Sequence, residues 1–248
     1  MKDRLYQDID LVQFYDYDNP WMESFDHFVR WSKEAHNILD LGCGTGTLTI
    51  ELAKKNKRTI AIDIAEEMLQ EASKKSDHII WKQADIRTIK LDEKFDFILL
   101  SGHAFQVFLT DEDRLKVFTT IREHLNKNGI FVFDSRNPLG KEWLTWNEAE
   151  SSRNFIHPLY GNIKAWNTCT GDADLLTYHT FYQAEAEASG QRWEASSRIA
   201  FPSRENIITL TEQAGLKVNM IYGDWQLNEF RENSEEMIFV GGLQTDKI

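Results

Sequence analysis

Between residues 38 and 134 the chain alternates short aliphatic, β-branched runs with stretches whose apolar residues recur at helical spacing, and this alternation leaves few folds open. It is the pattern of a parallel sheet covered by helices, because parallel neighbours need a crossover long enough to hold a helix. Residues 37–41, 59–62, 78–82, 95–100 and 129–133 read as strands. Ile64, Met68, Leu69 and Ala72 fall on one helical face, as do Leu115, Phe118, Ile121 and Leu125. Thr110 and Asp113 have capping-box spacing at the start of the second helix, and Gly129 stands where a C-cap glycine would end it.

Farther along, the period changes to two. Leu176, Tyr178, Thr180 and Tyr182 alternate with Thr177, His179 and Phe181, and Trp193, Ala195, Ser197, Ile199 and Phe201 continue the rhythm after a Ser189-Gly190 turn. This predicts an antiparallel insertion between the fifth and sixth strands, either a lid or a dimer surface, with Tyr178, Tyr182, Trp166 and Trp193 as roof candidates. Pro202 and Ser203 then open a helix that Gly215 ends, and residues 217–222 and 236–240 supply the closing strands. Upstream, Trp21, Phe25, Phe28 and Val29 mark a further helix, preceded by an aromatic and acidic segment, 14–20, placed to cover a site. Four parts follow: an N-terminal helical segment (1–36), an α/β core (37–150), the insertion (151–201) and the rest of the core (202–248).

With 42% hydrophobic and 12% aromatic residues spread along 248 positions, the chain has the composition of a folded globular protein. No apolar run reaches the length a bilayer demands, and the first ten residues lack the apolar stretch of an export signal, which predicts a cytoplasmic protein without membrane contact. Cys43 and Cys169 are too far apart for paired-cysteine motifs, so neither a disulfide framework nor a metal site is expected. A formal charge of −12 with scattered lysines and arginines lacks the basic stripe of a nucleic-acid binder.

The segment Asp40-Leu-Gly-Cys-Gly-Thr-Gly46 places a glycine turn between a strand and a helix. Such turns also hold dinucleotide pyrophosphates, which makes a nicotinamide oxidoreductase the competing reading. The G-x-G-x-x-G spacing fails in both frames: it requires glycine where Thr47 or Thr49 stands.

The same segment resembles motif I of the class I S-adenosylmethionine-dependent methyltransferases, and the later motifs follow in order. Asp63 closes the second strand, Asp85-Ile86 follows the third, Phe95-Asp-Phe-Ile-Leu-Leu-Ser101 forms the fourth, and Leu125-Asn-Lys-Asn-Gly-Ile-Phe-Val-Phe-Asp134 matches the fifth-strand region. The resemblance implies a seven-stranded Rossmann-like α/β sheet, mostly parallel with the last strand antiparallel, helices on both faces, and S-adenosylmethionine as cofactor. It also implies a cofactor site built from Tyr15, Asp40, Gly42, Gly44, Gly46, Asp63, Ile64, Met68, Asp85, Ile86 and Ser101. Asp63 would accept both ribose hydroxyls, Asp85 the adenine amino group, and Ile64 and Met68 would wall the base.

Ligands of open α/β sheets lie beyond the carboxyl ends of the strands. That edge carries Ser101, Gly102 and His103, then Asp134, Arg136 and Asn137, with Asp134 and Arg136 also readable as a local ion pair. Substrate candidates are therefore His103, Asp134, Arg136, Tyr178 and His179, and His103 is the candidate base for an acceptor that must shed a proton. The expected activity is methyl transfer to an N or O atom of a small molecule by a monomer or homodimer. A binding protein without turnover is the remaining alternative.

Overall fold

The computed structural model describes residues 4–55, 57–172, 174–185 and 191–244. Helices α1 (Arg4–Gln7), α2 (Ile9–Asp18) and α3 (Glu23–Trp31) precede an alternating series: β1 (Asn37–Leu41), α4 (Thr47–Leu52), β2 (Arg58–Asp63), α5 (Glu66–Lys75), β3 (Ile80–Gln83), β4 (Phe95–Leu100), α6 (Asp111–His124) and β5 (Leu125–Arg136). A short helix, α7 (Glu148–Ser151), leads into β6 (Arg153–His157), β7 (Gly161–Asp172), β8 (Leu175–Ala184) and β9 (Arg192–Ala200). The chain closes with α8 (Arg204–Gln213), β10 (Leu216–Tyr222) and β11 (Glu236–Leu243).

Seven strands form one sheet in the order β10-β11-β5-β4-β1-β2-β3. Its β1–β5 strands pair in parallel, while β11 runs antiparallel to both β5 and β10. β1 is buried from Ile38 to Leu41 because helices cover both sheet faces, which is why it reads as an unbroken apolar run around Asp40. One face packs Phe105, Phe118, Phe133 and Phe239 beneath α6 and α8, with the Phe133 and Phe239 rings stacked at 4.8 Å. The other packs Phe28, Ile38, Leu48, Phe97 and Leu99 beneath α3 and α4. Strand order reverses between β1 and β4, so the crevice at their carboxyl ends is where an open sheet of this kind receives ligands.

The antiparallel insertion is a separate four-stranded sheet, β6-β7-β8-β9, lying in sequence between β5 and β10. β6 was not foreseen, because its alternation is too short to separate from a loop. The Ser189-Gly190 turn lies outside the described residues. Helix α2 docks on this second sheet: Phe14 meets Tyr182 and Trp193 at 4.8 Å and His157 at 5.1 Å between ring centroids.

Two local expectations are corrected. Helix α6 ends at His124, with Leu125 already extended, so Gly129 is no C-cap; it lies inside β5. A Cβ there would stand 2.8 Å from the Phe95 carbonyl oxygen, and the close approach of β4 accounts for the glycine. Ile64 precedes α5 and is 51% exposed, so it leaves the buried face kept by Met68, Leu69 and Ala72. The Thr110 cap is present as expected, its hydroxyl accepting the Asp113 N–H at 3.2 Å.

Candidate active site

β1 delivers the chain into the glycine turn, where Gly42, Gly44 and Gly46 have φ of +79°, +54° and +78°. These left-handed values favour residues without a Cβ. The turn is tied to the end of β2: the N–H groups of Gly42 and Cys43 donate to the Ile62 carbonyl at 2.7 and 3.0 Å. Asp63 receives the Gly44 N–H on one carboxylate oxygen and the Ala65 N–H on the other, both at 2.8 Å. Burial raises its pKa, opposed by these backbone bonds. Tyr15, from α2, lies over the turn, its ring 3.7 Å from where a Cβ of Gly44 would sit. Burial, then the nearby Asp63, raises its phenol well above the ordinary value.

Asp40 is 1% exposed beneath this turn. Its Oδ2 accepts the Thr49 hydroxyl at 2.6 Å, and its buried Oδ1 has no hydrogen-bond partner among the described residues. Burial pushes the carboxyl up to about 7. Asp85 is gripped by Arg87, whose Nε and Nη2 donate at 3.0 and 2.6 Å, and this pairing lowers its pKa. Ile86 is 9% exposed, and Met68 packs with Val12 and Ala65 under α2. Ser101 ends the β4 edge half-buried, its carbonyl accepting the Ala104 N–H at 3.4 Å.

On the acceptor side, His103 takes a left-handed φ of 58° and donates its backbone N–H to Asp134 Oδ2 at 2.8 Å. Its Nε2 lies 2.9 Å from both carboxylate oxygens of Glu236 and 3.4 Å from Asp134 Oδ2. Asp134 is fully buried. Desolvation raises its pKa, the His103 charge lowers it, and Glu236 raises it further. The expected Asp134–Arg136 pair is replaced: Arg136 donates to Glu142 at 2.8 Å and to Gln106 at 2.9 Å, and stacks 5.2 Å from the Trp146 ring centroid.

The pleat of β8 separates two other candidates. Tyr178 packs against Trp146, with ring centroids at 4.8 Å, on the face that also presents Tyr182 to α2. His179 lies on the opposite face, bonded to Ser196 at 2.7 Å. Trp166 shares that opposite face, stacked on Phe181 beneath Arg192. One pocket therefore cannot be lined by both Tyr178 and His179.

Three groups went unnoticed in the sequence. Glu236 pairs opposite Arg136 in the β5–β11 ladder, which puts it diagonal to Asp134 on one face. Asp18 binds Arg153 at 2.5 Å and accepts the Tyr182 hydroxyl at 3.0 Å, joining α2 to the second sheet. Asp16 accepts the Thr45 hydroxyl and pairs with Lys75, each at 2.5 Å, joining α2 to the glycine turn. All depend on contacts between residues distant in sequence.

Residues 38–129 match a family described as a methyltransferase domain, a span that contains the glycine turn, Asp63, Asp85 and His103. The chain carries a class I methyltransferase domain. Among curated relatives of this methyltransferase, the putative methyltransferase YqeM of Bacillus subtilis (strain 168) is 26% identical, over 87% of this chain and 89% of its own. A glycine/sarcosine N-methyltransferase of Aphanothece halophytica is 29% identical over 87% of this chain and 80% of its own. The sugar N-methyltransferase KedS8 of Streptoalloteichus sp ATCC 53650 superposes with a TM-score of 0.79 at 17% identity, covering 99% of this chain and 96% of that one.

Among the neighbouring solved structures, the amino pentose methyltransferase CalS10, which superposes with a TM-score of 0.72 at 15% identity, is described with S-adenosylmethionine bound. The residues of this chain fit that cofactor: a glycine turn open to close backbone approach, a buried Asp40 Oδ1 that lacks a donor, and an apolar Ile64 uncovered beside Asp63. No helix among the described residues is long and apolar enough to cross a membrane.

Proposed function

We propose that the methyltransferase acts on the amino nitrogen of a small molecule held between the glycine turn and the second sheet. The observation that carries this reading is the His103 side chain set against Asp134 and Glu236 beyond β4. Two carboxylates there favour an acceptor that arrives as a cation. The glycine/sarcosine N-methyltransferase relative is named for acceptors of this class, which supports an amine over a phenol or carboxylate.

In this reading Gly42, Gly44 and Gly46 lie against the cofactor, with Asp40 beneath and Tyr15 above. Asp63 still has lone pairs for two ribose hydroxyls after accepting two backbone N–H groups, since a carboxylate offers about four acceptor positions. Ile64 and Ile86 flank the base, and Asp85, held by Arg87, keeps capacity for an amino donor. Met68 supports this wall from below. Ser101 closes the cofactor side of the β4 edge, and Tyr178 and Arg136 border the acceptor. Residues 1–36 and 151–201 act as covers on the core formed by 37–150 and 202–248.

When bound, S-adenosylmethionine supplies a methyl group already activated by its sulfonium, so the protein mainly aligns and shields. Alignment can account for roughly 7–11 kcal/mol of a two-reactant barrier. An ammonium must lose a proton before its nitrogen is nucleophilic. A carboxylate only accepts, so Glu236 fixes the His103 proton on Nε2 and leaves Nδ1 to take the proton from the acceptor.

The test pairs binding with turnover. Asp63→Ala is expected to weaken S-adenosylhomocysteine binding in calorimetry by about 1.5–3 kcal/mol for each charge-assisted bond lost. Release of S-adenosylhomocysteine is then followed across panels of small amines, phenols and carboxylates. Turnover confined to phenols or carboxylates would overturn the amine assignment, and unchanged affinity in Asp63→Ala would remove Asp63 from the ribose.

A further inference from the structure

The ends of β4, β5 and β11 bring together three metal-ligating side chains. His103, Asp134 and Glu236 each present one ligand atom, all within 4.8 Å of one another. His103 Nε2 is 2.9 Å from Glu236 Oε1 and 3.4 Å from Asp134 Oδ2. Two ligands bound at about 2.0–2.1 Å to one small divalent cation stand roughly 2.8–3.4 Å apart, the lower end octahedral and the upper tetrahedral, so these separations match edges of a coordination polyhedron.

Two observations distinguish this triad from a solvated acidic patch. Asp134 is 1% exposed, and its buried Oδ1 has no hydrogen-bond partner among the described residues. The His103 N–H holds Oδ2 at 2.8 Å, so the carboxylate cannot turn to satisfy Oδ1 without giving up that bond. The side chains of His103 and Glu236 are only 20% and 15% exposed, so two carboxylates share one imidazole in a largely dry setting. A divalent cation would neutralise both and give the orphaned oxygen a partner.

The geometry points to a binding site for one divalent transition cation, ligated by His103 Nε2, Asp134 and Glu236. One imidazole and two carboxylates suit Mn²⁺, Fe²⁺ or Zn²⁺, lacking the thiolates that select Cu⁺ and the all-oxygen set typical of Ca²⁺. The ligands lie at 103, 134 and 236, and only the antiparallel β5–β11 register unites the last two, so no sequence motif announces the site.

Occupancy has a chemical corollary. With a cation on Nε2, neutral imidazole carries its proton on Nδ1, the nitrogen assigned above as base. Bound metal therefore suppresses turnover; this corollary rests on the proposed function, whereas binding itself does not.

The experiment is calorimetric titration of tag-free, chelator-treated full-length protein with MnCl₂ and ZnCl₂, with the electron paramagnetic resonance of Mn²⁺ as a second readout. The expected result is one equivalent bound, weakened tenfold or more in each of His103→Ala, Asp134→Asn and Glu236→Gln. Glu236→Gln keeps side-chain shape at a partly accessible position, so it reports even where Asp134→Asn unfolds, as judged by circular dichroism. Absence of saturable binding of either cation, or equal binding in Glu236→Gln, overturns the site. Binding at one equivalent with turnover unaffected leaves the site standing and overturns His103 as base.

Discussion

Asp40→Asn is expected to remove a defined part of the protein's response to pH. Burial raises this carboxyl from an ordinary 3.8 to about 7, against the opposing Thr49 hydrogen bond. The unfolded chain titrates near the ordinary value, so in the interval between the two the folded state keeps a proton that the unfolded state has released. The stability contribution is complete below the unfolded value, declines as pH rises, and levels off above about 7. Each pH unit of separation is about 1.36 kcal/mol, which makes the whole window on the order of 4 kcal/mol. Asparagine keeps the shape, can still accept from Thr49 and cannot ionise. The assay is urea unfolding of both proteins in steps from about pH 4.5 to about pH 8, reading the difference between them. Asp134, also raised by burial and not among the neighbours that shift Asp40, is common to both and cancels in that difference, whereas the charge of Asp63 adds to the rise at Asp40, so the difference reports the pair. The variant should gain on the parent across the window and be the more stable at the alkaline end. Parallel profiles would show that Asp40 titrates alike in folded and unfolded chains, and the reasoning from its burial would be wrong.

Asp18→Ala strips the partner from Arg153 and the acceptor from Tyr182, and should destabilise by near the lower end of about 3–5 kcal/mol because Arg153 reaches solvent. Tyr182→Phe should lose only about 1 kcal/mol in the same urea assay, and equal losses would mean the ion pair contributes nothing. Gly46→Ala combines a left-handed backbone, roughly 1–2 kcal/mol, with overlap of its new methyl group and the Trp81 ring. It should lower the melting temperature and weaken S-adenosylhomocysteine binding together; unaltered values of both would free this position from the turn's geometry.

The parts of the fold that could be read from sequence are those fixed by local chemistry. β1 and β4 were placed to the residue because their apolar runs are bounded by polar or glycine positions, and the Thr110 cap and Gly42–Gly46 turn each express a short-range requirement. Gly129 was misread because glycine signals a backbone constraint without saying which one; a neighbouring strand and a helix end require it alike. The site was legible as far as its residues follow one another along strand ends. Glu236 escaped because its position depends on antiparallel register with a strand a hundred residues earlier, and Asp16 and Asp18 because they act across a domain-like seam. Tyr178 and His179 were grouped although adjacent strand residues face opposite ways, and only the docking of α2 says which face looks inward.

Helix α2 is fastened to its two neighbours by unlike bonds. Toward the second sheet, Phe14 sits among a ring of aromatic side chains and the buried carboxylate of Asp18 grips Arg153; toward the glycine turn, Asp16 relies on Thr45 and a solvent-touched Lys75, beside the apolar contact of Val12 with Ala65 and Met68. Dissolved ions screen the exposed Asp16–Lys75 pair more than the pair whose Asp18 end is buried, and excluded salts such as sulfate strengthen the aromatic contact. The helix should therefore part from the turn first and travel with the sheet, opening the nucleoside cradle along a polar seam whose looseness rises with ionic strength.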